Sequence, residues 1–346
     1  MAEQFNVAIT ADFYDESGNT QYEDIGIGLF EAHPKIQVTQ FDELRPEIGS
    51  DQIGSCQGIV VLTPAVTRAS LQQSENLLAI GRFGVGYDKV DIEACTDADV
   101  VAFITSGAVN HSVAEATVGW MLALSHHVLI KNQLVRTGAW DDRSNYMGTE
   151  LRDRCFGTIG IGGIARKTIE LLRGFGMKSF LAYDPYVDAN TFQDSDIQLV
   201  DLKTLMETAD FVSIHCPLTD DTKNLITAKE LGWMKKNTYL LNTARGGIIN
   251  EDNLYDCLKS QSIAGAALDC LENEPITEPH RFGEFDNVLL APHCIAWTDE
   301  IFRDIGACVC QGMIDLSTGQ LPQGILNPEV AEKESFQEKW KRLQLV

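Results

Sequence analysis

The run Phe156-Gly157-Thr158-Ile159-Gly160-Ile161-Gly162-Gly163-Ile164-Ala165, with Asp184 standing after a second apolar segment at 180–183, carries residue types that grip a dinucleotide. It reads as a strand, a glycine turn, a helix start and then an acid about 20 residues on. Gly160 permits the tight turn, Gly162 lets the backbone approach a pyrophosphate, and Ala165 allows the helix to pack closely on the strand. Gly163 and Ile164 open that helix, and its unpaired N–H groups face the phosphates. Asp184 would take the ribose hydroxyls and repel a 2′-phosphate, so the expected cofactor is NAD rather than NADP. With 28 glycines in the chain the fingerprint alone is weak, and the apolar segments on either side carry the reading.

These residues need a scaffold, and the chain supplies two alternating strand and helix blocks. In the first, segments at 6–10, 37–39, 58–62, 77–80 and 100–104 read as short strands separated by polar stretches of helix length. The second runs from Phe156 through segments at 180–183, 211–214, 239–241, 264–268 and 288–290. The expected fold class is α/β, with two doubly wound parallel-sheet domains. Ser112 and Glu115 have capping-box spacing and should open a helix through Leu124 that links the domains. A last helix at 299–318 is expected to return to the first domain.

Composition bounds the partners. The 346 residues are 44% apolar, enough for two domains with cores. A net charge of −23 argues against nucleic acid and anionic membranes. No segment reaches 18 uninterrupted apolar residues and the first residues lack a secretion signal, so a cytoplasmic protein is expected. The nine cysteines are scattered and odd in number, which favours reduced thiols. Cys308 and Cys310 have no second ligand pair, and no metal is expected.

Several further motifs stand in order: Arg82-Phe83-Gly84-Val85-Gly86-Tyr87-Asp88, Ser112-Val113-Ala114-Glu115, the glycine loop, His215-Cys216-Pro217-Leu218-Thr219, Asn242-Thr243-Ala244-Arg245-Gly246-Gly247, Ala267-Leu268-Asp269 through Glu274-Pro275, and Ala291-Pro292-His293. In this order, from about residue 77 to 300, the chain resembles the D-isomer-specific 2-hydroxyacid dehydrogenase family, which includes glyoxylate and hydroxypyruvate reductases and phosphoglycerate dehydrogenase. The resemblance implies a flavodoxin-like substrate domain made of both chain ends, 1–105 and 298–346, with a Rossmann NAD-binding domain, 106–297, inserted between them. It also implies a homodimer paired through the NAD-binding domains, and a cofactor pocket lined by Cys216, Pro217, Thr243, Ala244, Arg245, Asp269, His293 and Ala296.

Reduction of a 2-keto acid needs a cation for the carboxylate and carbonyl, an acid for the emerging alkoxide, and a hydride-bearing cofactor. Arg245 follows a strand end, and its planar fork suits a carboxylate. By resemblance His293 is the proton donor, and Glu274 holds its ring and raises its pKa. Glu272 is the nearest rival, but Glu274 lies five residues after Asp269 and directly before Pro275, as in the family pattern. Gly84-Val85-Gly86 looks like the family's substrate loop, with backbone N–H groups for the carboxylate.

Two departures bear on the substrate. Where phosphoglycerate dehydrogenases carry an arginine after the third strand, this chain has Val61-Leu62-Thr63-Pro64, and Arg68 lies too far on to replace it. Trp297, four residues after His293, is expected either to wall the pocket or to face the core. The reading is therefore an NAD-dependent dehydrogenase of a small unphosphorylated 2-keto or 2-hydroxy acid. The alternatives are 3-phosphoglycerate dehydrogenase-type activity and an NAD-sensing, protein-binding module similar to the C-terminal-binding-protein corepressors.

Overall fold

The computed structural model describes residues 4–188, 192, 194 and 196–345. By internal packing the chain divides into two compact units, residues 1–109 with 297–346, and residues 110–296.

The first unit is built on a parallel sheet of β1 (Phe5–Ile9), β2 (Ile36–Gln40), β3 (Gly58–Val61), β4 (Ala79–Arg82) and β5 (Val101–Ile104), in the order β2-β1-β3-β4-β5. This is the flavodoxin-like doubly wound order. The inner strands read as continuous apolar runs because helices cover both faces, and all four residues of β3 are buried. The helix Asp299–Ser317, capped by the Thr298 hydroxyl accepting the Ile301 N–H at 3.2 Å, belongs to this unit.

The second unit holds β6 (Cys155–Ile159), β7 (Ser179–Tyr183), β8 (Ile197–Leu199), β9 (Phe211–Ile214), β10 (Tyr239–Asn242), β11 (Gly265–Leu268) and β12 (Val288–Leu290), all parallel, in the order β12-β11-β10-β9-β6-β7-β8. The order reverses beside β6, the point where open α/β sheets bind ligands. Strand β8 went unread in the sequence, since three residues, Ile197-Gln198-Leu199, are too short to show a period.

The helix Asn110–Ser125 buries Ala114, Thr117, Val118, Met121 and Leu124 and packs on the helix Gly163–Leu172. It begins two residues before Ser112, so the expected capping box does not form. Glu115 instead lies 3.3 Å from the His111 ring, one turn back. The following helix, Val128–Thr137, ends on Gly138 in the left-handed region (φ 75°) and buries no residue. Among the described residues no single helix is long and apolar enough to cross a membrane, and none of the nine cysteines is in a disulfide.

Candidate active site

The register of the second sheet decides where the candidate residues emerge. Tyr183, Ile159, Ile214, Asn242, Leu268 and Leu290 pair in one row across β7, β6, β9, β10, β11 and β12. The residues that follow them are Asp184, Gly160, His215, Thr243, Asp269 and Ala291. Every motif of the second block therefore leaves the sheet along one line, about 24 Å long at the usual strand spacing.

At the β6 end, Gly160 has φ 90°, and a Cβ there would lie 3.0 Å from the backbone of His215 and Cys216. Both the turn and the close approach need glycine. The helix Gly163–Leu172 starts on Gly162 with no side chain capping it, while Gly162 and Gly163 are exposed. Space is open where a Gly162 side chain would stand. Ile164 is half-buried and Ala165 fully buried against the sheet. Such an uncapped, exposed helix start suits a phosphate. One Asp184 oxygen accepts the Ile161 N–H at 3.1 Å and the other accepts the Tyr186 N–H at 3.0 Å, so the acid stands beside the glycine loop.

The next strand end carries His215, Cys216 and Pro217. Loss of water around the His215 ring pushes its pKa down to about 4, and the ring is 2.9 Å from the Ser213 hydroxyl. Burial pushes the Cys216 thiol up to about 11, leaving it uncharged at neutral pH. Pro217 is exposed.

After β10, Asn242 holds the turn that bears Arg245, donating to the Arg245 carbonyl at 2.8 Å and accepting the Ala244 N–H at 3.1 Å. Arg245 itself donates to the Ala244 carbonyl at 2.7 Å. The Thr243 hydroxyl oxygen is buried without a partner among the described residues, a polar group that a ligand in this turn would satisfy.

After β11, the buried Asp269 accepts the Cys294 and Ile295 N–H groups on one carboxylate oxygen, at 2.9 and 3.1 Å, and its carbonyl accepts the His293 N–H at 2.8 Å. It braces the segment that carries His293. Burial raises its pKa, against the hydrogen bonds from Ile295 and Cys294 and the His293 charge. Ala296, at the end of this segment, is buried.

His293 Nδ1 lies 2.8 Å from a Glu274 oxygen, with the ring 43% and the acid 34% exposed. The other Glu274 oxygen accepts the Leu271 N–H at 2.8 Å. Burial works to raise the Glu274 pKa, but these two hydrogen bonds and the charges of His293 and Arg245 outweigh it and hold the carboxyl below its ordinary value. Glu272 takes no part in the pair, and its N–H donates to Glu251 at 2.7 Å. Cys270, missed in the sequence, completes a cluster in which its Sγ, a Glu274 oxygen and a His293 ring nitrogen lie within 4.8 Å of one another.

In the first unit the loop Gly84-Val85-Gly86 stands just beyond the end of β4 and is half-buried, with the Gly84 N–H donating to the Thr105 hydroxyl at 3.2 Å. Asp12, three residues beyond the end of β1, was also missed in the sequence. It is buried, accepts the N–H and hydroxyl of Thr63 on one oxygen, and has no partner on the other among the described residues. Trp297 is 54% exposed and so not a core residue. It packs edge-on against Tyr22 and Phe302, which stack on each other at 4.0 Å.

Residues 118–294, just over half the chain, match the family profile described as D-isomer specific 2-hydroxyacid dehydrogenase, NAD binding domain. The glyoxylate reductase of Thermofilum pendens is 34% identical over 330 residues, covering 86% of this chain and 96% of that protein. A D-3-phosphoglycerate dehydrogenase of Methanocaldococcus jannaschii is 36% identical over 263 residues, covering 76% of this chain but 50% of that protein. Among solved structures, a glyoxylate reductase from Paecilomyes thermophila superposes with a TM-score of 0.80 at 23% identity, over 95% of this chain and 100% of that one, and so shares its fold.

Proposed function

We propose that this chain, which belongs to the D-isomer-specific 2-hydroxyacid dehydrogenase family and is an NAD-dependent oxidoreductase, interconverts a small unphosphorylated D-2-hydroxy acid and its 2-keto acid, of the glyoxylate or hydroxypyruvate kind. The single observation that carries the site assignment is the row of strand ends. The ribose-type acid Asp184 stands toward one end, the phosphate-type glycine loop next to it, and Arg245, Glu274 and His293 toward the other. Residue types that would hold a dinucleotide's ribose and phosphates thus share one sheet edge with the acid-base pair.

NADH, when bound, would supply the hydride for the carbonyl carbon. Asp184 would hold the ribose hydroxyls, the uncapped helix start at Gly162, Gly163 and Ile164 the pyrophosphate, and Cys216, Pro217, Thr243, Ala244, Asp269 and Ala296 the walls of the pocket. Arg245 binds the substrate carboxylate and draws charge toward the carbonyl oxygen. Glu274, ionised and fixed on Nδ1, orients the His293 ring and stabilises its cation, leaving Nε2 to give its proton to the oxygen as charge develops there. Within the first unit, the backbone N–H groups of Val85 and Gly86 suit a carboxylate, and the exposed Trp297 ring is an apolar surface. The exposed Val128, Leu129 and Val135 of the helix Val128–Thr137 support a homodimer formed through the cofactor unit, and the acidic charge of the chain supports a protein that binds neither nucleic acid nor anionic membrane.

The unphosphorylated substrate is favoured by Leu62 and Thr63 where a phosphate-binding arginine would stand. The test is NADH oxidation by the purified chain against glyoxylate, hydroxypyruvate, pyruvate, 2-oxoglutarate and 3-phosphohydroxypyruvate. Turnover on one of the small acids is expected. Preference for the phosphorylated acid overturns the substrate class, and silence despite tight NADH binding favours the NAD-sensing module.

A further inference from the structure

The corner of the second unit that holds His293 carries a donor set that proton transfer leaves partly idle. Thiol, carboxylate and imidazole converge there from Cys270, Glu274 and His293, with the three donor atoms within 4.8 Å of one another, and among the described residues this is the one such group. Thiolate, imidazole and carboxylate together form a ligand set of zinc-type ions, and three protein ligands leave a fourth position open.

The backbone under the three donors is already tied. The carbonyl of Asp269, the residue before Cys270, accepts the His293 N–H at 2.8 Å, and the Leu271 N–H fixes one Glu274 oxygen, also at 2.8 Å. No loop has to fold to assemble the set. Metal–nitrogen bonds of about 2.0–2.1 Å and metal–sulfur bonds of about 2.3 Å place tetrahedral ligands roughly 3.3–3.6 Å apart, so side-chain rotations on the order of 1 Å bring these donors into range. The His293–Glu274 contact, at 2.8 Å, opens slightly. The thiol gives up its 3.3 Å bond to the Ala244 carbonyl.

We propose that Cys270, Glu274 and His293 bind one zinc-type divalent cation, and that occupancy turns the reduction off. The inhibitory half rests on the reading of His293 as proton donor. An ion on Nδ1 replaces the contact with Glu274 and holds the ring as a neutral ligand. The proton left on Nε2 is then bound far more tightly than that of an imidazolium. Coordination releases the thiol proton to solvent, so affinity rises with pH.

The probe is cobalt(II), which reports a bound thiolate through an intense near-ultraviolet charge-transfer band whether or not the enzyme turns over. The full chain, stripped with a chelator, is expected to take up one cobalt ion with that band, and zinc is expected to displace it and suppress NADH oxidation. Cys270→Val and Cys270→Ser should both lose the band, keep metal-free turnover and need at least about tenfold more zinc for half-inhibition. Cys294→Ser should keep the band. A wild-type protein without the band, or a band that survives both Cys270 variants, overturns the site. A band that depends on Cys270 while zinc leaves turnover unchanged keeps the site but overturns the inhibition, and with it the assignment of the proton to His293.

Discussion

His293 sits in the left-handed backbone region, at φ 55°, with its N–H on the Asp269 carbonyl and its ring on Glu274. Asparagine tolerates that region better than most residues, so His293→Asn removes the imidazole with little backbone disturbance. Turnover should fall by about 10²–10⁴-fold while NADH binding, followed by fluorescence, survives. Unchanged turnover would remove His293 from the mechanism. The Glu274 carboxyl is held below its ordinary value, so its ionisation contributes stability that is present above the unfolded pKa of about 4.3 and is lost as pH falls through the lower folded value. Glu274→Gln, which cannot ionise, should show a flatter loss of stability in acid than the wild type, measured by chemical denaturation across that range. Asp184→Ala should weaken NAD and raise the relative use of NADP, and a wild-type preference for NADP would count against the acid's role. Asp184, Arg245, Glu274 and His293 could be put forward from the sequence because each stands in an ordered motif. Cys270 and Asp12 were not, because their interest lies in neighbours far away in sequence, 23 residues on at His293 and 51 residues on at Thr63.

Two turns of the second unit are locked face to face. A Cβ at Gly246 would lie 2.0 Å from the Leu271 carbonyl oxygen, so the backbone that bears Arg245 rests directly on the backbone that leads to Glu274. Glu251, at the start of the helix Glu251–Lys259, accepts the Glu272 N–H at 2.7 Å and pins the same loop. Burial raises the Glu251 pKa, against the Glu272 hydrogen bond and the His280 charge. Glu251→Ala should lower kcat by more than it raises KM, since it loosens the loop that leads to Glu274 rather than the turn that bears Arg245. Steady-state kinetics check this, and a change confined to KM would contradict it. Most strand positions were readable as apolar runs, whereas the N-caps Asn250 and Asp201, which accept the Asn253 and Thr204 N–H groups, went unread. The Ser112 cap was misread because spacing alone does not say where a helix begins, and here the backbone enters it at Asn110.

At the scale of the molecule, the segment from Val128 through Met147 leaves Val128, Leu129, Val135, Trp140 and Met147 exposed, an apolar surface that water opposes. Leu129→Asp with Trp140→Asp should halve the mass measured by light scattering if the chain is a dimer, and an unchanged mass would remove this segment from the interface. The two-block pattern of the sequence anticipated two sheets, while the strand order, which depends on long-range pairing, came only from the fold and the resemblance. The row formed by Tyr183, Ile159, Ile214, Asn242, Leu268 and Leu290 also governs how the chain tolerates changes of length. One residue inserted into any of these strands moves its last side chain by about 3.3 Å and turns it to the opposite face, whereas one inserted in the loops on the far side of the sheet leaves the row in place. Across this unit, insertions and deletions should therefore be accepted in alternating windows that mirror the strand spacing, a pattern that substitutions would not reveal.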